Sequence, residues 1–234
     1  MLSVMDEEVA ATVPGRRLVI FDFDGTVADT KPCIVETARR ALLDFGMAEE
    51  DLGDLGRLVG PPFPYAYTLV YGLSEADAAE VTRRYRQIYR NLGPEAWPAF
   101  PGMRGLLSSL RAEGRLVAVA SSKNQPLLER CIEGQGTGGL FDFVRGKQSD
   151  AMRSKTQLIE AVLEHFSLGP ADAVMVGDRS FDVEGASGAG VPGVGVTYAD
   201  TGDLAELAGA GAVEVAGSVA ELGEALMGEA APGA

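Results

Sequence analysis

Two aspartates, two residues apart, follow the first apolar run of the chain. The run at 18–21 reads Leu-Val-Ile-Phe, and Asp22 and Asp24 come directly after it in the sequence Asp-Phe-Asp-Gly-Thr. Gly25 lets the backbone turn sharply here, because glycine adopts positive φ without steric cost. A carboxylate at this point could act as a nucleophile, a general acid or base, or a metal ligand. Taken alone, the motif is also compatible with an ordinary turn at the end of a strand.

A second pair of carboxylates follows the apolar run at 173–176. Asp178 and Asp182 lie in the sequence Gly-Asp-Arg-Ser-Phe-Asp. Asp182 could be no more than a first-turn helix residue that the helix dipole favours. If the two apolar runs are neighbouring strands, however, Asp22 and Asp178 form a site of hard oxygen ligands. Such a site suits Mg²⁺, which takes few carboxylates and keeps water and substrate phosphate in its shell.

Two further segments offer groups that could hold a phosphate. The apolar run at 116–120 ends in Ser121, Ser122 and Lys123. A hydroxyl and backbone N–H groups at the end of a strand can hold phosphate oxygens, although a serine there is commonly just a helix N-cap. Lys155 stands at the predicted start of a helix, where the dipole disfavours a cation by on the order of a few tenths of a kcal/mol. A lysine placed against that rule suggests another task, such as neutralising a phosphate or a nucleophilic aspartate.

Strand-like apolar runs alternate with helical patterns through most of the sequence. A helical example is 156–166, where the apolar residues form one stripe. Strands separated by helices predict an α/β fold, a Rossmann-like three-layer α/β/α core with a mostly parallel sheet. In that architecture ligands bind beyond the carboxyl ends of the strands, where the four segments above would meet. The predicted strands are 18–21, 116–120, 173–176 and 191–196.

The stretch from about 32 to 98 carries helical patterns but no convincing strand. Ser74 is a good N-cap for one of its helices. The predicted helices are 33–45, 63–71 and 74–92. We therefore predict a flexible N-terminal segment at 1–16, a core built from 17–30 and 99–227, a small inserted α-helical domain at 31–98 and a flexible tail at 228–234.

Composition limits the classes of partner. The 234 residues carry a formal net charge of −14, which argues against nucleic acid and anionic membranes, because both need a basic surface. No apolar run approaches the roughly 18 residues that span a bilayer, and the acidic N-terminus is unlike a signal peptide. Cys33 and Cys131 lack metal-binding spacing and are expected to be free thiols. We expect a cytoplasmic protein whose oligomeric state, monomer or dimer, the sequence leaves open.

Together the four segments resemble the motifs of the haloacid dehalogenase superfamily of aspartate-nucleophile hydrolases. Asp-Phe-Asp-Gly-Thr matches its first motif, Ser121 its second, Lys155 its third and Gly-Asp-Arg-Ser-Phe-Asp its fourth. Their order and spacing also fit, from about 18 to 226. The stretch at 58–63, Leu-Val-Gly-Pro-Pro-Phe, looks like the cap loop of the phosphoglycolate phosphatase and 5′-nucleotidase-like branch, which makes the inserted helical domain a cap.

The resemblance implies a role for each matching residue. Asp22 would be the nucleophile that forms an aspartyl-phosphate, and Asp24 the general acid and base. Ser121 would hydrogen-bond the phosphoryl oxygens, and Lys155 would offset the negative charge. Asp24 in place of a neutral residue points to phosphate esters and away from dehalogenation, because a halide needs no proton.

The resemblance also implies a metal site for Mg²⁺. Asp22, the backbone carbonyl of Asp24, and Asp178 would be its ligands, and Asp182 would orient its water molecules. The expected substrate is a small phosphorylated metabolite, such as phosphoglycolate, a nucleoside monophosphate or a sugar phosphate. The candidate substrate contacts are Gly25, Thr26, Ser122, Lys123, Gly60, Pro61 and Arg57.

Other features lie outside this set. Arg83, Arg86 and Arg90 lie opposite the apolar face of the predicted helix at 74–92, which predicts a solvated face. Two stretches, 133–139 and 197–200, depart from the family's pattern, and we expect neither to touch the catalytic residues.

Two alternative functions remain. One is a phosphomutase of the β-phosphoglucomutase kind, which shares the first motif. The other is a non-catalytic binding protein on the same fold.

Overall fold

The computed structural model of the chain describes residues 13–151 and 154–228. Within these ranges, strands β1 to β6 form one all-parallel sheet in the order β3-β2-β1-β4-β5-β6. The parallel sheet predicted from the alternation of strands and helices is therefore confirmed. The strands are β1 (Leu18–Phe21), β2 (Leu116–Asn124), β3 (Phe143–Lys147), β4 (Ala173–Gly177), β5 (Gly193–Val196) and β6 (Glu214–Ala216).

The α-helices of the described residues cover both faces of this sheet and form the inserted segment. They are α1 (Lys31–Phe45), α2 (Tyr65–Tyr71), α3 (Glu75–Tyr89), α4 (Met103–Ala112), α5 (Gln125–Gln135), α6 (Lys155–Phe166), α7 (Ser180–Gly188), α8 (Leu204–Gly209) and α9 (Val219–Met227).

Strand β1 lies at the centre of the sheet because it is apolar on both faces. Val19 and Phe21 point into the larger hydrophobic cluster, to which α4, α5, α9 and the inserted helices contribute. Leu18 and Ile20 point into a second cluster, formed with α6 and α7. This division follows from the alternation of side chains along a strand. It produces the three-layer α/β/α core that the sequence predicts.

The sequence-based prediction located four of these strands and missed two. Strand β3, whose sequence is Phe-Val-Arg-Gly-Lys, and strand β6, only three residues long, lie at the two edges of the sheet and lack a long apolar run. Strand β2 is longer than predicted, because it continues past Ala120 to Asn124 with a shift of register against β3. Ser121 therefore lies within a strand and is not a helix N-cap.

Residues 31–98 form α1, α2 and α3 without a strand, as predicted. An aromatic stack runs through this cap. The rings of Phe63 and Tyr85 are 4.7 Å apart, those of Tyr85 and Tyr89 5.3 Å, and those of Tyr89 and Trp97 5.6 Å. Such pairs stabilise a structure by about 0.5–1.5 kcal/mol each beyond the burial of their area. The stack joins the loop at 58–63 to α3 and to the chain that returns to the core.

The predicted flexible ends lie mostly at 1–12 and 229–234, outside the described residues. Val13, the first described residue, is buried against the larger cluster. Cys33 and Cys131 are free thiols, as expected. No helix in the described part of the chain combines the length and apolarity needed to cross a membrane.

Leu158 tests the packing of α6 on the sheet, because its side chain is 1% exposed. Replacing it with alanine deletes buried methyl groups and leaves a cavity, so we expect Leu158→Ala to lower the free energy of unfolding by about 2–5 kcal/mol. The matched control is Leu204→Ala on α8, where the leucine is 63% exposed and the loss should stay below about 0.5 kcal/mol. Urea denaturation followed by circular dichroism measures both; equal losses would contradict this burial.

Candidate active site

The carboxyl ends of three adjacent strands bring the first, second and fourth motifs together. Strand β1 lies between β2 and β4, so Asp22, Ser121 and Asp178 lie side by side at the carboxyl end of these three strands. The backbone N–H of Asp22 donates to the carbonyl of Val176 at 2.8 Å, which extends the pairing of β1 with β4 by one residue. The convergence expected from the strand-end motifs therefore occurs in the structure.

Asp22, Asp178 and Asp182 form a buried carboxylate cluster. One oxygen of each lies within 4.8 Å of the others, and all three residues are buried. Three hard oxygen donors at this spacing suit a divalent cation such as Mg²⁺. The side chain of Asp24 is not part of this cluster and contacts Thr30 and Lys123 instead. The metal role expected for Asp24 involves only its backbone carbonyl.

Lys155 lies inside this carboxylate cluster. Its Nζ is 2.7 Å from Oδ1 of Asp182 and 2.9 Å from Oδ1 of Asp22. Burial acts to lower the pKa of Lys155, but the charges of Asp182 and Asp22 outweigh it and hold the pKa above its ordinary value. The cation placed against the helix dipole thus has the partners that its unusual position suggested. One ammonium against three carboxylates leaves a formal charge of −2, which one divalent cation would cancel.

Burial and the neighbouring charges raise the pKa of two of the carboxyl groups. Burial raises the pKa of Asp178 well above its usual value, and the charges of Asp182 and Asp22 add to the effect. Burial also raises the pKa of Asp182, to about 6, although Lys155 acts in the opposite direction. These are the shifts expected when like charges share a site from which water is excluded.

Two threonine hydroxyls bond to the Asp178 carboxylate, and a glycine leaves room for it. Thr26 donates to its Oδ1 at 3.1 Å, and Thr201 donates to its Oδ2. Gly25 has a φ of +75°, and a Cβ there would lie 2.3 Å from the Asp178 carboxylate, so only glycine fits. Tyr198 in turn donates to the carbonyl of Thr26 at 2.7 Å.

The divergent stretch at 197–200 comes nearer to the site than its sequence suggests. Tyr198 bonds to the carbonyl of Thr26 in the first motif. The bond to Asp178 comes from Thr201, directly after the stretch. The sequence carries no periodic signal for this, because the contact depends on where the chain returns after β5.

Asp24 has its own set of partners. Thr30 donates to its Oδ1 at 2.7 Å, and Nζ of Lys123 lies 2.9 Å from its Oδ2. The Lys123 ammonium also lies 3.2 Å from the Tyr89 hydroxyl. Burial acts to lower the pKa of Lys123, yet the charge of Asp24 prevails and the pKa stays above its usual value. The two carboxylates of the first motif therefore occupy different electrostatic environments.

A cavity of about 70 Å³ opens between the core and the cap. Asp22 and Asp24 lie in its wall. The candidate residues that also line it are Gly60, Pro61, Ser121, Ser122 and Lys123. Of the remaining candidates, Thr26 supports Asp178 instead, and Arg57 is an exposed residue outside this wall.

Arg86 also lines the cavity, so its predicted place on a solvated face is wrong. Its side chain is 22% exposed and forms an ion pair with Asp150. Arg83 and Arg90 are exposed, as predicted. The spacing held a signal, because Arg86 is three residues before the buried Tyr89 and so lies at the border of the apolar face.

Arg179 connects the fourth motif to the cap. Its guanidinium donates to the carbonyl of Val59 in the cap loop and, at 3.0 Å, to Glu206. Glu206 also accepts from the backbone N–H of Ser180 at 2.9 Å. Sequence reasoning assigned Arg179 no role, because nothing in the sequence places the cap loop beside the residue that follows Asp178.

Comparison with known proteins agrees with this geometry. The profile of the haloacid dehalogenase-like hydrolase family matches residues 19–196. A 5′-nucleotidase of Pseudomonas aeruginosa is 33% identical over 77% of this chain and 82% of its own length. The tyrosine-protein kinase PtkA of Mycobacterium tuberculosis is 36% identical over 92% of this chain and 75% of its own.

The structural comparison gives the same result. The crystal structure of a predicted phosphatase from Clostridium acetobutylicum superposes with a TM-score of 0.84, at 32% identity, over 89% of this chain and 97% of that one. Fold, motif positions and relatives agree, and the chain belongs to the haloacid dehalogenase-like hydrolases.

Proposed function

We propose that this chain is a Mg²⁺-dependent phosphatase that hydrolyses a small phosphomonoester through an aspartyl-phosphate on Asp22. The observation that carries the proposal is the position of Asp22. It lies in the carboxylate cluster, contacts Lys155, and faces the cavity that Asp24 also lines. A nucleophile, a candidate acid and base, and a metal site thus meet at one place.

The metal and the cap have separate tasks in this proposal. Asp22, Asp178 and the carbonyl of Asp24, with Asp182 nearby, would hold Mg²⁺, and its positive charge would let an anionic nucleophile approach an anionic phosphate. The cap at 31–98 covers the core at 17–30 and 99–227 and excludes water from the cavity.

In the first step, a carboxylate oxygen of Asp22 attacks phosphorus while the bond from phosphorus to the ester oxygen breaks. The leaving oxygen takes its proton from Asp24, and the product alcohol departs. Ser121 holds a phosphoryl oxygen, and Lys155 offsets the charge on the acyl phosphate. The transition state spreads its charge over the equatorial oxygens, which these donors are placed to receive.

In the second step, water attacks the phosphorus of the aspartyl-phosphate. Asp24, now a carboxylate, takes the proton of that water, and Asp22 leaves as a carboxylate. Inorganic phosphate is released and both groups return to their starting protonation states. The contacts of Asp24 with Thr30 and Lys123 hold its side chain in one orientation for both steps.

The name of the relative PtkA raises phosphoryl transfer to tyrosine as a rival activity. We favour hydrolysis because the chain is also similar to a 5′-nucleotidase of Pseudomonas aeruginosa and to a predicted phosphatase of Clostridium acetobutylicum. Phosphoglycolate, nucleoside monophosphates and sugar phosphates are the substrate classes within the proposal.

The raised pKa values of Asp178 and Asp182 predict how Mg²⁺ binding depends on pH. Both carboxyl groups must lose their protons before they can serve the metal, so Mg²⁺ should bind more tightly at pH 8 than at pH 5.5, with release of protons. Isothermal titration calorimetry of the metal-free chain in two buffers measures affinity and proton release together. Asp178→Asn should weaken binding by at least about 10-fold.

Asp44→Asn is the control for that titration, because it removes the same charge from an exposed position on α1. Its affinity for Mg²⁺ should match that of the wild type. An affinity that is the same at both pH values, or that survives Asp178→Asn, would refute the proposed metal site.

Asp22→Asn tests the nucleophile. Because asparagine cannot form the acyl phosphate, phosphate release from p-nitrophenyl phosphate with Mg²⁺ should fall by at least about 10³-fold, with Asp44→Asn unaffected. Borohydride reduction of acid-quenched wild-type enzyme, followed by peptide mass spectrometry, should convert residue 22 to homoserine.

Other outcomes of these assays identify the rivals. Isomerisation of a sugar phosphate with little phosphate release would mean a phosphomutase. Transfer from ATP to a tyrosine substrate would mean a kinase. Absence of turnover with a broad panel of phosphometabolites would mean a non-catalytic protein.

Asp24→Asn tests the acid and base. p-Nitrophenolate leaves readily without a proton, whereas an alkoxide does not, so loss of the acid should reduce turnover of an alkyl phosphate by about 10²–10⁴-fold. With p-nitrophenyl phosphate, the variant should give a burst of nitrophenol followed by slow turnover, because the second step still lacks its base. Stopped-flow absorbance measures the burst. Equal losses on both substrates without a burst would speak against this role.

A further inference from the structure

Arg86 places a cation in the wall of the active-site cavity, and its partner lies elsewhere. Lys123, also in the wall, is paired with Asp24 inside the same cavity. Asp150, the partner of Arg86, lies in the turn after β3, is 44% exposed, and is not among the residues that line the cavity. Arg86 therefore belongs to the cavity wall, while the carboxylate that pairs with it lies outside that wall.

The ion pair leaves part of the guanidinium available. Nη1 of Arg86 lies 2.9 Å from Oδ2 of Asp150, and Nη2 lies 2.5 Å from Oδ1. This contact uses two of the five N–H groups of an arginine, and the other three can serve a second acceptor. Exposed ion pairs contribute little to stability, so exchanging a surface carboxylate for another one costs little. The planar guanidinium of an arginine matches the geometry of any carboxylate, whether it belongs to Asp150 or to a ligand.

The size of the cavity limits what can lie between Asp22 and Arg86. A volume of about 70 Å³ holds about five water molecules, at the roughly 10–15 Å³ of cavity that one water needs. That space accommodates a phosphoryl group on a chain of two or three carbons, whereas a nucleoside or a hexose would extend out through the open side of the cavity.

Part of the cavity wall is apolar. The apolar and aromatic residues come from both the cap and the core: Ile34, Leu58, Val59, Phe63, Tyr85 and Leu127. These side chains exclude water, which strengthens an ion pair formed inside the cavity.

We propose that Arg86 is a specificity-determining residue that binds a carboxylate on the organic part of the substrate. The inference rests on the proposed phosphatase function and narrows it to phosphomonoesters of short hydroxy acids. The substrate carboxylate takes N–H groups of Arg86 from the cavity side, in place of or beside Asp150, while its phosphoryl group lies at Asp22. Neutral esters of the same length lose this contact.

The test compares two substrates of the same chain length. 2-Phosphoglycolate carries a carboxylate, and ethyl phosphate does not. The wild-type chain with Mg²⁺ should have a kcat/KM about 100-fold or more higher for 2-phosphoglycolate. In Arg86→Gln, the KM for 2-phosphoglycolate should rise by about 10- to 100-fold, as expected for loss of a charge-assisted contact, while ethyl phosphate changes by less than about 3-fold. Arg83→Gln is the matched control on the exposed face of α3 and should leave both substrates unchanged.

Asp150→Asn separates recognition from a simple tie between cap and core. If Arg86 only fastened the cap through Asp150, then Asp150→Asn would reproduce Arg86→Gln on both substrates, and the proposal would be overturned. Recognition instead requires that Asp150→Asn keep the preference for 2-phosphoglycolate, with a KM equal to or below that of the wild type. Arg86→Lys, which keeps the charge but not the planar fork, should fall between wild type and Arg86→Gln and serves if the glutamine variant does not fold.

The failures of the two proposals are distinguishable. Equal kcat/KM values for the two substrates in the wild type, with phosphate released from both, overturn the role of Arg86 and leave the phosphatase standing. No phosphate release from either substrate or from p-nitrophenyl phosphate contradicts the phosphatase itself, and the role of Arg86 falls with it.

Discussion

The interaction on which the rest of the site depends is the contact of one buried ammonium, Lys155, with Asp22 and Asp182. Asp22 and Asp178 follow two neighbouring parallel strands, so they lie at the same end of the sheet. The surrounding structure buries that end, and the carboxylates are therefore close together and shielded from water. A buried charge without a partner is costly, and one lysine balances only one of the three. Burial, together with the charges of the neighbouring carboxylates, raises the pKa of Asp178 and Asp182. Protons or a divalent cation can offset the remaining negative charge, so electrostatics as well as ligand type make the cluster a candidate metal site.

This contact also constrains the helices around it. Lys155 is the first residue of α6, and it reaches the cluster only because α7 packs closely against that helix. Gly185 on α7 makes the approach possible, since a Cβ there would lie 2.6 Å from Cβ of Lys155. The first turn of α7 carries Asp182, whose Oδ2 accepts from the backbone N–H of Arg179 at 3.1 Å. The close packing of α6 against α7 is therefore what places the Lys155 ammonium among the carboxylates.

The carboxylates and the lysine of the site could be predicted from the sequence because their positions follow from local patterns at the ends of strands and helices. Asp22, Asp178 and Lys155 could be found from their places at strand and helix ends, and the central strands from their apolar runs. The edge strands β3 and β6 escaped because little or no apolar run marks them. Thr201 and Arg86 escaped for another reason. The role of Thr201 depends on where the chain returns after β5, which no nearby spacing encodes. The spacing of Arg86 from Tyr89 marks a border position on α3 but does not show that this border faces the cavity.

The substrate end of the site is held by contacts of a different kind. No strand pairing fixes the cap loop at 58–63, and side chains of the core reach it instead. Lys147 donates to the carbonyl of Phe63 at 2.7 Å, and Arg179 donates to that of Val59. Arg179 directly follows Asp178 in the chain. A shift of the loop that carries the Asp178 carboxylate would therefore also move the Arg179 side chain that bonds to the cap loop. Asp22 and Asp178 are thus anchored by the sheet, whereas the cap loop beside the cavity is held by a few polar side chains.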